Sequence, residues 1–324
     1  MAGVEAPLAR RSGRGPLEVA AVARSDPRLR VPVPAIAGLF PGQGSQTADL
    51  REQVARLAPE LLERCIELVG DDPFPLVAQS TRFAQPAIFC ASVAAWERVG
   101  ASVRPVAFAG HSLGELSALV AAGALGRDDG LALAVRRGEL MAQASAGAHE
   151  SMLAVLGGSD EEAARLADEH GVALANDNAP GQVVLAGTVQ SLREAARQAR
   201  ELGVRAIMLD VTGAFHTPAM AGAVQPFRDE LDTVELQAPV VPVVSGASAL
   251  PFADVRAELA QAIVRPVRWR EVMLALDGLG ARAFVDFGPG RVLQRLVARN
   301  LPDARVIEVD GLGLVARGEA SGVA

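Results

Sequence analysis

The chain has 324 residues, half of them hydrophobic and 21% charged, with a net charge of −7, two cysteines, four histidines and no tyrosine. That balance suits one globular core, or one core carrying an inserted subdomain. It argues against a nucleic-acid partner, which needs concentrated basic surface, and no uninterrupted apolar run has the length of a membrane helix.

With aromatics at only 4%, the core must be built from Ala, Val and Leu, as in a buried sheet flanked by Ala-rich helices. Cys65 and Cys90 share no spacing motif and read as buried, reduced thiols. None of the four histidines stands at a zinc spacing from another ligand, so no metal site is expected. Residues 1–34 read as a flexible tail that contains Arg, Pro and Gly and lacks the apolar core of a signal peptide; the expectation is a cytoplasmic enzyme.

Order is expected to begin at residues 35–40, an apolar run that ends in Pro41-Gly42-Gln43-Gly44-Ser45-Gln46, the usual entry to an α/β unit. Helical periodicity over 49–70 stops at Gly70, and a second helix is predicted over 85–99 with Pro86 in its first turn. Residues 105–110 have a buried-strand pattern and run directly into His111-Ser112-Leu113-Gly114-Glu115 and a small-residue helix. Asp128 and Asp129 are placed to cap the next helix. From about 150 the rhythm changes: strand 152–156, helix 159–170, strands 172–176 and 183–186, helix 189–202 and strand 204–209. This βαββαβ order marks a ferredoxin-like unit inserted into the larger core. Strand 240–245, helix 252–264 and strand 283–287 return to the large sheet. The domain reading is therefore core 35–150 and 212–312, subdomain 151–211, and a C-terminal tail 313–324.

Gly110-His111-Ser112-Leu113-Gly114 is a G-x-S-x-G between a predicted strand and a predicted helix, which is the context a nucleophile elbow needs. The glycines allow the sharp turn, and the free N–H groups at the start of the helix can stabilise an oxyanion. Ser112 needs a base. His111 is adjacent and points away, His149 and His170 lie in polar contexts, and His216 follows an apolar strand in a Gly- and Pro-punctuated loop. His216 is the best candidate. Arg137 has apolar neighbours three and four residues away on its helix, whereas Arg136 is the solvated one, with Glu139 nearby. A guanidinium on the buried stripe admits two readings: it snorkels or pairs with an internal Glu, or it forms a fork for a substrate carboxylate.

These segments resemble the malonyl-CoA:acyl carrier protein transacylases, including the trans-acting acyltransferases of polyketide assembly lines. The motifs run in order: Phe40-Pro41-Gly42-Gln43-Gly44-Ser45-Gln46, Gln85-Pro86-Ala87, Gly110 to Glu115, Arg137-Gly138-Glu139-Leu140-Met141, Asn176 to Val184, Gly213-Ala214-Phe215-His216, Pro266-Val267-Arg268-Trp269 and Gly288-Pro289-Gly290. The resemblance covers about residues 36 to 300. It implies an α/β-hydrolase-like core with a parallel sheet and an inserted ferredoxin-like α+β subdomain. It implies Ser112 as nucleophile and His216 as base, with the backbone carbonyl of Arg268 orienting the imidazole. It implies backbone N–H groups of Gln43 and Leu113 as the oxyanion hole, Arg137 as holder of the malonyl carboxylate, Asn178 against the coenzyme A arm, and Phe215 crowding a branched acyl group.

The implied activity is transfer of malonyl from malonyl-CoA, a substrate and not a cofactor, to the phosphopantetheine thiol of an acyl carrier protein by a monomeric enzyme. The residues depart from the family pattern at Arg265, where Asn is common, and at Thr217, where Ser is usual. Arg205 and its basic neighbours are candidates for docking an acidic carrier protein. Two other readings compete: a hydrolase of carrier-bound acyl thioesters using the same elbow, and a catalytically idle docking module.

Overall fold

The computed structural model of the chain describes residues 35–309 and the backbone of 314–316. The expected tail over 1–34 lies outside the described residues, as does most of 313–324. In chain order the elements are β1 (Ile36–Phe40), α1 (Leu50–Leu57), α2 (Pro59–Val69), α3 (Thr81–Val99), β2 (Pro105–Gly110), α4 (Gly114–Ala121) and α5 (Arg127–Ala144). There follow β3 (Glu150–Leu156), α6 (Asp160–His170), β4 (Ala173–Ala179), β5 (Gln182–Thr188), α7 (Val189–Glu201) and β6 (Arg205–Met208). The chain continues with α8 (Ala221–Thr233), β7 (Val243–Val244), α9 (Val255–Ala262), α10 (Trp269–Gly278), β8 (Ala283–Asp286), α11 (Val292–Asn300), β9 (Arg305–Val309) and β10 (Leu314–Ala316).

Six strands form one sheet in the order β10-β9-β8-β1-β2-β7, parallel except for the antiparallel edge strand β10. The central β1 is buried along its whole length, which is why its sequence reads as a continuous apolar run. Alternate residues feed two cores. Phe40, Phe108 and Phe287 pack with α1–α5, and Ala37, Leu39, Ala107 and Phe284 pack under α10 and α11. Gly38 leaves room for the first group, since a Cβ there would fall 2.5 Å from the Phe108 ring.

The second sheet is antiparallel, in the order β4-β5-β3-β6, with α6 and α7 packed on one face around Leu153, Val155, Leu166, Leu185 and Leu192. The βαββαβ order with this strand arrangement is ferredoxin-like. Backbone bonds tie it to the segment between α9 and α10: Val267 N donates to Ala175 O and Asp177 N to Val267 O, both at 2.9 Å.

Several local expectations are corrected. The single helix over 49–70 is two, broken at Ala58, because Pro59 pushes its predecessor out of the helical region and then starts α2. Helix α3 begins at Thr81, capped by the Ser80 side chain, so Pro86 lies inside the helix and not in its first turn. Gly126, not an aspartate, is the N-cap of α5; Asp128 and Asp129 sit in its first turn, where negative charge suits the dipole. Only Val243–Val244 of the expected strand over 240–245 is paired, and Val240 is exposed. Leu314–Ala316, placed in the expected C-terminal tail, pairs with β9.

Candidate active site

The elbow is shaped by close backbone packing. A Cβ on Gly110 would lie 1.9 Å from the Gly114 carbonyl carbon, one on Gly114 2.0 Å from Phe40 O, and one on Gly42 2.5 Å from His111 O. Only glycine fits at these positions, so the loop after β1 presses directly on the turn between β2 and α4. Ser112 turns that corner with a φ of 55°, left-handed backbone that costs a side-chain-bearing residue about 1–2 kcal/mol. Its hydroxyl opens into a cavity of about 450 Å³. One wall comes from the 41–46 loop and the elbow, another from Gln85, Arg137 and Met141, and the roof is the free face of the antiparallel sheet (Met152, Ala154, Asn176, Asn178, Gln182 and Val184).

Ser112 and His216 come together: Oγ lies 2.8 Å from Nε2. The His216 Nδ1 lies 2.9 Å from the carbonyl oxygen of Ala262. A carbonyl can only accept, so Nδ1 carries the proton and Nε2 presents its lone pair to the serine. Burial, reinforced by the Arg137 charge, pushes the His216 pKa down to about 3, so the ring is neutral near pH 7. The orienting carbonyl is therefore Ala262, at the end of α9, and not Arg268. The Arg268 carbonyl accepts from Val272 N in the first turn of α10, and its N–H donates to Gly246 O.

Arg137 is 4% exposed. Its Nη1 donates to Gln85 Oε1 at 2.8 Å and its Nη2 to Ser112 Oγ at 3.2 Å. Burial lowers its pKa to about 10, partly offset by the Glu115 carboxyl, which leaves it charged at neutral pH; among the described residues no carboxylate lies within ion-pair distance of it. Gln85, visible in the sequence only as part of a motif, is clamped in turn: its Nε2 donates to Thr81 Oγ1 at 2.8 Å and to Met141 Sδ. Arg136 pairs instead with Glu139 and Glu230.

Gln43 and Leu113 line the cavity beside Ser112, and neither backbone N–H donates a hydrogen bond among the described residues. Phe215 is buried against Gly213 in the same wall. Asn178 reaches the cavity, but its Oδ1 accepts from His111 Nε2 at 2.9 Å, so it also pins the elbow histidine to the roof. Arg205 and His149 are both exposed and do not line the cavity. Cys65 and Cys90 are free and buried.

A serine hydroxyl bonded to a neutral imidazole, two undonated N–H groups and a buried guanidinium without an ion pair form an arrangement that can support acyl transfer and can receive an anionic acyl group. The comparisons agree. Residues 39–319 match the family model described as acyl transferase domain. The malonyl CoA-acyl carrier protein transacylase of Bacillus subtilis is 37% identical over 82% of this chain and 90% of its own length. The polyketide biosynthesis protein ThaF of Burkholderia thailandensis is 36% identical over 82% of this chain, which spans only 24% of that longer relative. The crystal structure of malonyl-CoA:acyl carrier protein transacylase from Xanthomonas oryzae pv. oryzae superposes with a TM-score of 0.79 at 33% identity, covering 85% of this chain and 94% of that one. The chain belongs to the acyl transferase domain family.

Proposed function

We propose that the protein transfers a malonyl group from malonyl-CoA to the phosphopantetheine thiol of an acyl carrier protein through a malonyl ester on Ser112, supplying extender units for fatty-acid or polyketide synthesis. The observation that carries this reading is the Arg137 guanidinium, buried, held by Gln85 and aimed at the Ser112 hydroxyl, with no carboxylate in direct contact among the described residues. A fork in that position receives the free carboxylate of a malonyl group while its thioester carbonyl faces Ser112.

Ser112 Oγ attacks that carbonyl as His216 Nε2 takes the proton, and the N–H groups of Gln43 and Leu113 bind the oxyanion. The proton returns to the coenzyme A thiolate as it leaves. The carrier thiol then enters, gives its proton to His216, attacks the ester carbonyl and departs with the malonyl group, and Ser112 recovers its proton. On the family resemblance, the enzyme works as a cytoplasmic monomer.

The test is intact-mass measurement after incubation with malonyl-CoA, followed by addition of a phosphopantetheinylated carrier protein. The wild type gains one malonyl group, Ser112→Ala gains none, and the carrier removes it faster than water does. Absence of the adduct on the wild type, or its presence on Ser112→Ala, defeats the reading; loss to water at the carrier's rate makes the protein a hydrolase.

A further inference from the structure

Glu115 is the second residue of α4, one turn beyond Ser112, and is only 2% exposed. Its Oε1 accepts from Gly246 N–H at 2.7 Å, and among the described residues its carboxyl makes no ion pair. A small void lies behind the serine and histidine, bounded by Ser112, Glu115, His216, Gly246, Ala262 and Val267. Glu115 is the one carboxyl on that void among the described residues.

When His216 takes the Ser112 proton, an imidazolium forms beside a guanidinium, and both touch the same oxygen. Two buried cations at one atom are costly without a counter-charge. The Ala262 carbonyl supplies only a dipole. The fold sets a carboxyl against the pair from the far side of the void. We propose that Glu115 is a positioning residue for the chemistry at Ser112, its carboxylate stabilising the His216 imidazolium and its bond to Gly246 fixing the loop behind the histidine. That loop is continuous with the substrate roof, because Gly246 O accepts from Arg268 N and the neighbouring Val267 is bonded to β4. The proposal rests on the serine–histidine reading of the site and not on the identity of the acyl group.

The groups that face Glu115 are Gly246 N–H and Ser245 from the loop after β7, Arg137 from α5, Glu258 from α9, and, on the same void, His216 and Arg265, the latter from the segment between α9 and α10. Burial raises its pKa to about 7; Gly246 N–H and Arg137 work against that rise and Glu258 adds to it. Ionisation of Glu115 thus changes between pH 6 and 8, where His216 stays neutral.

The experiment follows Ser112 labelling by a fluorophosphonate probe against pH in wild type and in Glu115→Gln, whose amide oxygen still accepts from Gly246. Oγ bonds to phosphorus, fluoride leaves, and the serine proton passes through His216 to solvent, so no acyl carboxylate complicates the readout. The wild type should label about tenfold faster at pH 8 than at pH 6, and Glu115→Gln should be slow and flat across that range. A Glu115→Gln variant that labels at the wild-type rate, or that keeps the same pH limb, overturns the proposal and leaves Glu115 a loop anchor. Should the variant not fold, a wild-type profile that is flat from pH 8 to 6 overturns it equally. Failure of malonyl loading in the separate mass experiment does not touch this result.

Discussion

Ser112 and His216 meet at 2.8 Å while both hold left-handed backbone, with φ values of 55° and 61°. Of the described non-glycine residues only Ala249 shares that conformation. The two hydrogen-bonded side chains thus both sit on corners of the backbone, and both line the cavity. Local strain is concentrated where the chemistry is.

The strain at His216 can be measured. His216→Gly and His216→Ala should both lower the rate of Ser112 acylation by at least about 100-fold. They should differ in stability, with glycine the more stable by about 1 kcal/mol in denaturant titration, because only alanine places a Cβ on the left-handed corner. Equal stabilities would mean that the corner relaxes once the ring is gone.

Arg137→Ala should lose malonyl transfer by at least about 100-fold in kcat/KM while Ser112 remains open to acylation by acetyl-CoA, which brings no carboxylate. Gln85→Leu should lower malonyl transfer about tenfold, since it removes the acceptor that holds Nη1. Steady-state kinetics with the two thioesters separate these outcomes. Unchanged malonyl kinetics in Arg137→Ala would remove the carboxylate fork.

How much of this was legible in the chain depended on distance along it. The elbow was readable because Gly110, Ser112 and Gly114 form one local turn. His216 stands out by elimination among four histidines. The carbonyl behind it was not readable: every residue has a carbonyl, and the choice of Ala262 over Arg268 is made by where α9 ends and α10 begins. Gln85 was visible as a motif, but its grip on Arg137 spans 52 positions and exists only once α3 packs on α5. The ferredoxin-like unit was legible from alternation and order, whereas the terminal strand β10, three residues long, carries too little pattern to announce itself.

Gly114→Ala should cost about 3 kcal/mol or more, because the added methyl would sit 2.0 Å from Phe40 O, against backbone that cannot rotate away. Thermal unfolding checks this, and a melting temperature equal to wild type would show that β1 and the elbow move apart freely.

Asp286 predicts a pH effect on stability. It is buried, its Oδ1 accepts from Gly288 N–H, its Oδ2 has no partner, and burial raises its pKa to about 8. The folded state therefore keeps a proton that the unfolded state releases above about pH 4. This group's contribution falls as pH rises toward 8, by about 1.4 kcal/mol per pH unit at the steepest. Asp286→Asn should remove that slope, so its melting temperature relative to wild type should be higher at pH 8 than at pH 5. A difference independent of pH would show that Asp286 is ionised throughout.

The contacts that set the Gln43 and Leu113 N–H groups beside Ser112 are made by main chain alone: Gly42 against His111 O, and Gly114 against Phe40 O. The walls that meet the acyl group are side chains, namely Gln85, Arg137, Met141 and Phe215. Inheritance can therefore treat the two separately. Acyl selectivity can drift, or be engineered, by exchanging wall residues one at a time without disturbing the machinery of attack. The glycines, by contrast, cannot change, since each leaves free the space that another backbone segment occupies.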